Sequence, residues 1–345
     1  MKHNRRQLCV NDKEGLEMEN RFFAKIMLGV GGLYTVRVLT DCQKKPTELS
    51  GKTLVCRARG SFKHNNITLL AGDDVIICPA SEVTDLDKKK GASETSADFV
   101  IDELCERKNT LIRPPLSNLD YMFITMAAAA PAPILSTVDK LICIAEFNKI
   151  EPIIVITKCE LDPKYAEELA SLYKKSGFRV FCLSAAEDIE VAPIDEFIKR
   201  SLTNGRSAAF AGASGIGKST LLNRLFPELD LSTSEISRKI ERGRHTTRKA
   251  ELYTLSNELD CGYIADTPGF SMLDFERFDF FEKDDLPLTM REFVPLINEC
   301  KYTKCSHTKE EGCAILEAVR LGEIPRSRHE SFCELYEVLK AKKKW

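Results

Sequence analysis

Gly212, Ala213, Ser214, Gly215, Ile216, Gly217, Lys218 and Ser219 match the pattern G-x-x-x-x-G-K-[ST] at every fixed position, and Thr220 follows. Such a loop binds phosphate. Its glycines let backbone N–H groups turn inward and approach phosphate oxygens. A helix starting at Lys218 adds the positive end of its dipole. The Lys218 ammonium can bridge β- and γ-phosphates, and the Ser219 hydroxyl can bind Mg²⁺. A chance glycine-rich loop is the alternative. It is disfavoured by the apolar run Ala208–Ala211 before the motif and by the helical pattern of residues 220–225 after it.

Asp266-Thr267-Pro268-Gly269 follows another apolar run, 262–265. An Asp at a strand end is placed to hold Mg²⁺, and the Gly269 N–H can reach a γ-phosphate. Alone the tetrapeptide could be an ordinary turn; paired with the phosphate loop it reads as a nucleotide switch. Between the two lies Gly243-Arg244-His245-Thr246-Thr247, polar and basic. Thr246 or Thr247 suits the switch threonine that reaches Mg²⁺ and γ-phosphate, which gives Ser219, Thr246 and Asp266 as the expected Mg²⁺ set. In Ras a Gln after the switch glycine orients the attacking water. Here that residue is Phe270, which cannot. His245 is the candidate to hold the water through a ring nitrogen, its alternative role being contact with RNA or solvent alone. Lys218, His245, Thr246 and Thr247 form the expected catalytic group.

Thr157-Lys158-Cys159-Glu160 ends the apolar run Ile153–Ile156. Segments of form [NT]-K-x-D read guanine, their carboxylate accepting from the ring N–H and the exocyclic amine together, a donor pair adenine lacks. Glu160 stands where Asp is expected, with the same two oxygens on a longer stem. Asp162 is also acidic, but two positions out of register. Ser184-Ala185, after the run Val180–Leu183, suits the loop whose backbone N–H meets the guanine carbonyl. The Glu keeps a P-loop ATPase open as an alternative, as well as an RNA-binding protein without a ribosome role, nucleotide-regulated or with degenerate motifs. Intact Lys218, Ser219 and Asp266 argue against degeneracy.

Cys300, Cys305, His307 and Cys313 gather four ligand residues within 14 positions. Three thiolates and an imidazole make a closed tetrahedral set for one structural Zn²⁺, with no position left for catalysis.

The elements that must position these groups are legible in outline. From Arg21 to Pro79 short alternating runs such as Tyr34–Leu39, Leu54–Ala58 and Asn66–Leu70 are separated by glycines, which predicts a small β-barrel of OB type. Residues 85–98 are charged and poor in large apolar side chains, a linker. From Ile101 strands alternate with helical patterns (134–147, 163–176, 218–225), which predicts a mainly parallel sheet. After Phe275 only helical pattern remains. The 345 residues carry net charge −2, so no nucleic-acid signal comes from the whole molecule, although residues 1–84 hold an excess of four positive charges. The 13 cysteines, an odd number, and the absence of any long apolar run predict a reducing, cytoplasmic setting with free thiols or metal ligands.

The guanine segments precede the phosphate loop, the reverse of the order in Ras-like proteins. With TKCE, GASGIGKST, GRHTT, DTPGF and the Cys/His spacing, this order resembles the circularly permuted GTPases of the RsgA (YjeQ) family. Ala71-Gly72-Asp73-Asp74-Val75 and the stretch Arg107–Pro115 support the likeness, which covers residues 20 to 340. The resemblance implies an OB-fold-like RNA-binding domain (1–84), a linker (85–100), a permuted GTPase domain (101–275) and a helical zinc-binding domain (276–345). It implies a GTP hydrolase acting in maturation of the small ribosomal subunit, bound to that subunit's rRNA and stimulated by it, with Zn²⁺ and Mg²⁺ as cofactors. A monomer is expected. The residues expected around GTP are Thr157, Lys158, Cys159, Glu160, Ser184, Ala185, Gly212 to Thr220, Asp266 and Gly269.

Overall fold

The computed structural model describes residues 20–82, 97–227, 250–266 and 282–341. These fall into two compact units. One holds 20–82, 97–119, 202–207 and 250–266, the other 120–201, 208–227 and 282–341.

In the first unit β1 (Phe22–Val30), β2 (Leu33–Asp41), β3 (Thr53–Ala58), β4 (Asp74–Pro79) and β5 (Phe99–Leu104) close a barrel in the order β1-β2-β3-β5-β4. A tight turn at Gly31 and Gly32, with φ of 60° and 84°, joins β1 to β2. β3 and β5 run parallel, Cys56 opposite Phe99; the other pairs are antiparallel. Alternation fills the interior with Ala24, Ile26, Val36, Val38, Cys56, Val75, Ile77 and Ile101.

Two expectations about this barrel need correction. Asn66–Leu70 is not a strand. The chain forms a short helix α1 (Gly60–His64) and then turns at Asn66, where φ is 54°; Asn tolerates this left-handed conformation. Asp73 then accepts the Leu70 N–H at 2.7 Å, holding an irregular segment whose Leu69 plugs the barrel core. In addition, β5 spans the position expected to open the GTPase domain at 101, yet it is the barrel's closing strand. Its pattern of apolar residues looks the same for either assignment.

Beyond β5, the short strands β6 (Thr110–Leu111) and β7 (Leu116–Ser117) lean on the barrel's end. Asp73 accepts from Arg107 Nε at 2.7 Å and from the Ser117 hydroxyl at 2.6 Å. The two phrases singled out in the sequence, 71–75 and 107–115, therefore meet at one buried carboxylate.

The second unit is built on four parallel strands in the order β10-β9-β8-β11: β8 (Tyr121–Ala127), β9 (Glu151–Thr157), β10 (Arg179–Cys182) and β11 (Ser207–Ala211). β8 and β9 are buried almost throughout and read as continuous apolar runs, as parallel strands covered on both faces do. Helices α2 (Leu135–Phe147), α3 (Pro163–Lys175), α4 (Ala192–Ser201) and α5 (Lys218–Leu225) alternate with the strands. Residues 282–341 contain two 3₁₀ turns and helices α6 (Ala314–Arg320) and α7 (Arg326–Ala341), with no strand among the described residues. They belong to the same compact unit as the sheet. α7 packs on α2 through fully buried Arg328, whose guanidinium bonds Asp139 of α2 and, through Nε at 2.7 Å, Glu292. Tyr173 of α3 donates to the same Asp139 at 3.1 Å.

An antiparallel pair, β12 (Glu251–Thr254) and β13 (Tyr263–Asp266), completes the first unit. The Tyr263 N–H donates to the Arg206 carbonyl just before β11. β1 and β2 hold this hairpin with two buried cations. Lys25 pairs with Asp74 at 2.6 Å and lies 5.5 Å from the Tyr263 ring centre. Arg37 donates from Nη2 to the carbonyls of Asn257 and Glu258 at 3.0 and 2.9 Å. The alternation in β2 thus has two covered faces, where sequence alone allows one to be wet.

Candidate functional site

β11 delivers the chain to Gly212, and the phosphate loop turns from there into α5. Gly212 must be glycine, because a Cβ there would stand 2.4 Å from the Thr125 carbonyl oxygen of β8. Gly215 and Gly217 adopt φ of 79° and 89°, and Gly217 is the residue from which α5 starts. Ala213, Ser214, Gly215, Ser219 and Thr220 are exposed, Ile216 is buried, and Lys218 is half-buried with Nζ 3.5 Å from the Gly212 carbonyl. The loop presents an open face over a fixed floor, and the N-terminal N–H groups of α5 lie beside it, a setting for anions.

The floor is the segment 157–160, the one expected to read guanine. The Thr157 hydroxyl, at the end of β9, donates to the carbonyls of Ile216 and Met126. Lys158, with φ of 56°, donates to the carbonyls of Gly215 at 2.9 Å and Ala130 at 2.7 Å. Thr157 and Lys158 therefore brace the phosphate loop from below, a role the sequence pattern alone did not disclose. The acid at 160 is also distinguished from its neighbour. Asp162 caps α3, accepting the Tyr165 N–H at 3.0 Å, with Pro163 as the first helical residue. Glu160 has a buried Oε2 with no hydrogen-bond partner. An orphaned buried carboxylate oxygen is costly unless a ligand supplies its donor, and this is the position where a guanine edge would do so.

Ser184 and Ala185 follow β10 and are buried. Ser184 exchanges backbone hydrogen bonds with Ile189, and its hydroxyl accepts the Glu187 N–H at 3.3 Å. Asp188 in this loop pairs with Arg224 of α5. The structure thus gathers 157–160, 184–185 and 212–220 in one unit. Asp266 ends β13, and its side chain is not described; His245, Thr246, Thr247 and Gly269 lie outside the described residues. Of the expected Mg²⁺ set, Ser219 is therefore the member whose placement is described, exposed beside Lys218.

The expected zinc ligands do converge. Their four ligand atoms lie within 4.8 Å of one another. His307 Nδ1 is 3.4 Å from Cys300 Sγ and 3.6 Å from Cys313 Sγ, and the two sulfurs are 3.8 Å apart. Tetrahedral zinc bonds of usual length put two sulfurs about 3.8 Å apart and a sulfur and a nitrogen about 3.6 Å apart, so the set fits that ion. Burial pushes the Cys305 thiol up to about 12, raises Cys313 and lowers His307. The pocket disfavours charge unless a cation is present, and a bound metal displaces those protons. Two residues missed in the sequence hold this knot. Glu310 accepts the N–H groups of Ser306, Thr308 and Lys309 at 2.9 to 3.3 Å, together with the Ser306 hydroxyl. Although burial opposes it, these bonds hold the Glu310 carboxyl down at about 2. His329 Nε2 donates to the His307 carbonyl at 2.8 Å, fixing a ligand residue whose φ is 59°. Glu310 lay visibly between the ligands; nothing in the sequence singled out His329.

Comparison with known proteins agrees with this geometry. The family described as RsgA GTPase matches residues 104–276, and the RsgA N-terminal domain matches 25–84. The protein named small ribosomal subunit biogenesis GTPase RsgA from Ruminiclostridium cellulolyticum is 37% identical over 315 residues, covering 91% of this chain and 93% of its own. Its namesake in Bacillus pumilus is 37% identical over 325 residues, covering 92% and 98%. Among solved structures, YjeQ from Thermotoga maritima has a TM-score of 0.72 at 26% identity, covering 94% of this chain and 100% of its own. YloQ, described as a circularly permuted GTPase, has a TM-score of 0.69 at 29% identity, covering 96% and 100%.

Proposed function

The chain belongs to the RsgA GTPase family and is a GTP-hydrolysing enzyme, and from this we propose that it works in small ribosomal subunit biogenesis, hydrolysing GTP to GDP and phosphate while bound to that subunit and its rRNA. The single observation that supports the nucleotide assignment best is the brace between 157–158 and 215–216, which ties the segment read as base-recognising to the phosphate loop. The ribosomal assignment rests on the curated names of the relatives.

In this reading the triphosphate lies along the open face of 212–220. Backbone N–H groups and the α5 terminus take its charge, and Lys218 reaches the β- and γ-phosphates. Mg²⁺ accompanies GTP throughout this enzyme class and neutralises charge on the phosphates; Ser219, Asp266 and Thr246 are the residues assigned to hold it. Glu160 accepts from the guanine edge. Because adenine offers no such donor pair, the arrangement favours GTP over ATP. His245 orients the attacking water, since Phe270 has no polar group to do so. The barrel of β1–β5 is the RNA-binding element, and Cys300, Cys305, His307 and Cys313 hold one structural Zn²⁺. No described helix is long and apolar enough to cross a membrane; a cytoplasmic monomer completes the proposal.

The test is GTP turnover by the purified protein alone and with purified small ribosomal subunits. Slow basal turnover that rises at least ten-fold with subunits is the expected result. Unchanged turnover would remove the ribosomal role and leave the GTPase. Repeating the assay with His245→Ala separates the water-orienting role, because full stimulation of that variant would assign the water to another group.

A further inference from the structure

Two cysteines meet where the guanine-reading loops converge. Cys182 ends β10, opposite Ile156 of β9. Past the end of β9 the chain turns at Lys158, and Cys159 comes back against β10. Its N–H donates to the Leu183 carbonyl at 3.4 Å, and its sulfur lies 3.3 Å from the Ile156 carbonyl oxygen. Ile156 is thus the cross-strand neighbour of Cys182 and the acceptor of the Cys159 S–H, which sets the two cysteines side by side at the β9–β10 seam. Both are free and neither is sealed from solvent, each being half-buried.

The pair is also electronically poised. The neighbouring Cys159 thiol lowers Cys182 against the effect of burial, Lys174 of α3 assists, and Glu167 opposes. Cys182, burial and nearby Glu160 push Cys159 upward, a backbone hydrogen bond to Leu183 opposing. The two shifts run in opposite directions and favour the thiolate at Cys182 over Cys159, and the thiolate is the form from which thiol oxidation proceeds.

We propose that Cys159 and Cys182 form a reversible disulfide that switches guanine-nucleotide binding off. With hydrogen peroxide as oxidant, the Cys182 thiolate attacks one peroxide oxygen. The O–O bond breaks, giving a sulfenic acid and hydroxide, which takes a proton to become water. The Cys159 sulfur then attacks the Cys182 sulfur. An S–S bond forms, the S–O bond breaks, and the departing hydroxide leaves as water with the Cys159 proton. Two electrons pass from the two sulfurs to peroxide, and a dithiol reductant returns them.

The structural consequence follows from position. An S–S bond takes the Cys159 sulfur off the Ile156 carbonyl and fixes it to Cys182, which draws Cys159 toward β10. Glu160 on one side moves with it and loses its alignment with the guanine edge. Lys158 on the other side holds the Gly215 carbonyl, so the phosphate loop is disturbed as well. The switch rests on reading 157–160 as the guanine-binding segment.

The experiment treats full-length, zinc-loaded, reduced protein with hydrogen peroxide while zinc content is followed. Peptide mass mapping locates cross-links, and binding is read with fluorescent GDP. The expected result is a 159–182 cross-link, GDP affinity at least ten-fold weaker, and full recovery with dithiothreitol. Cys182→Ser and Cys182→Ala should bind GDP as reduced wild type does, before and after peroxide. No 159–182 cross-link in protein that keeps its zinc would overturn the switch. So would unchanged GDP affinity in the cross-linked protein, or a Cys182→Ser protein as peroxide-sensitive as wild type. Competition of GDP against ADP on the reduced protein stands apart from these. Equal affinity there would overturn the guanine reading itself, whereas a missing cross-link overturns the switch alone.

Discussion

The phosphate loop and the Cys/His knot both collect polar atoms for a charged guest, and they are made of opposite materials. The knot uses side chains: three sulfurs and a nitrogen facing one point, with Glu310 and His329 fixing the backbone between them. The phosphate loop uses backbone, with glycines at positive φ, an exposed mouth, and support from Thr157 and Lys158 beneath. Side-chain ligands that must lose protons give a bond strong enough to become part of folding. Backbone donors around an open mouth give binding that can be undone at every turnover. The difference separates a permanent guest from an exchanged one within the same compact unit.

That contrast can be broken at either end. The largest effect is expected in the knot. Cys313→Ala should abolish zinc retention, removing metal-binding free energy of roughly 10–16 kcal/mol. Elemental analysis should find no zinc and limited proteolysis should open 282–341, while GDP affinity stays near wild type. The next largest is at the seam behind it. Arg328→Ala leaves Asp139 and Glu292 buried without their cation, at a cost of about 3–5 kcal/mol, measurable by urea unfolding. On the exchanging side, Lys218→Ala or Ser219→Ala should slow GTP hydrolysis by at least about 100-fold, with zinc content unchanged; wild-type turnover would show that the loop is not the site. A smaller effect is expected at Glu160→Ala, which should lose most of the preference for GTP over ATP, roughly ten-fold or more, whereas Glu160→Asp keeps it. Competition binding decides. The subtlest concerns Glu310, whose carboxyl sits at about 2 against an ordinary 4.5. Its contribution is fully present above about 4.5 and is lost as pH falls toward 2. Acid unfolding of Glu310→Gln should therefore lack that part of the wild-type pH dependence.

What could be read from residues alone follows the same division. A motif whose chemistry is local, such as 212–220 or the Cys/His cluster of 300–313, could be read in the sequence because its members are neighbours or share an unusual type. The parallel strands were legible because both their faces are buried and their runs are continuous. Asn66–Leu70 misled because an apolar run says nothing about a left-handed turn at Asn66 or about Asp73 capturing the Leu70 N–H. β5 was missed because strand membership depends on partners 22 and 43 residues away, such as Cys78 and Arg57 for Val100. Arg328 and Asp139 lie 189 residues apart, and nothing in the charge pattern marks two ions as one buried pair. The roles of Lys158 and Asp162 were invisible for the same reason: one carboxylate caps a helix and one ammonium holds carbonyls, and only geometry says which.

Arg37 has a consequence in time. Its acceptors, the carbonyls of Asn257 and Glu258, lie 220 and 221 residues downstream. Every other barrel strand is complete by Leu104. At typical synthesis rates those acceptors emerge about 10–40 s after Arg37 does. Through that interval a nascent barrel carries a guanidinium, and Lys25 beside it, on a face that in the finished molecule is dry. The charges keep that face wetted and unattractive to other apolar surfaces until the β12–β13 hairpin arrives to cover it. A leucine at 37 would leave those two carbonyls without their donor in the finished molecule and would give each growing chain an adhesive face for most of its synthesis.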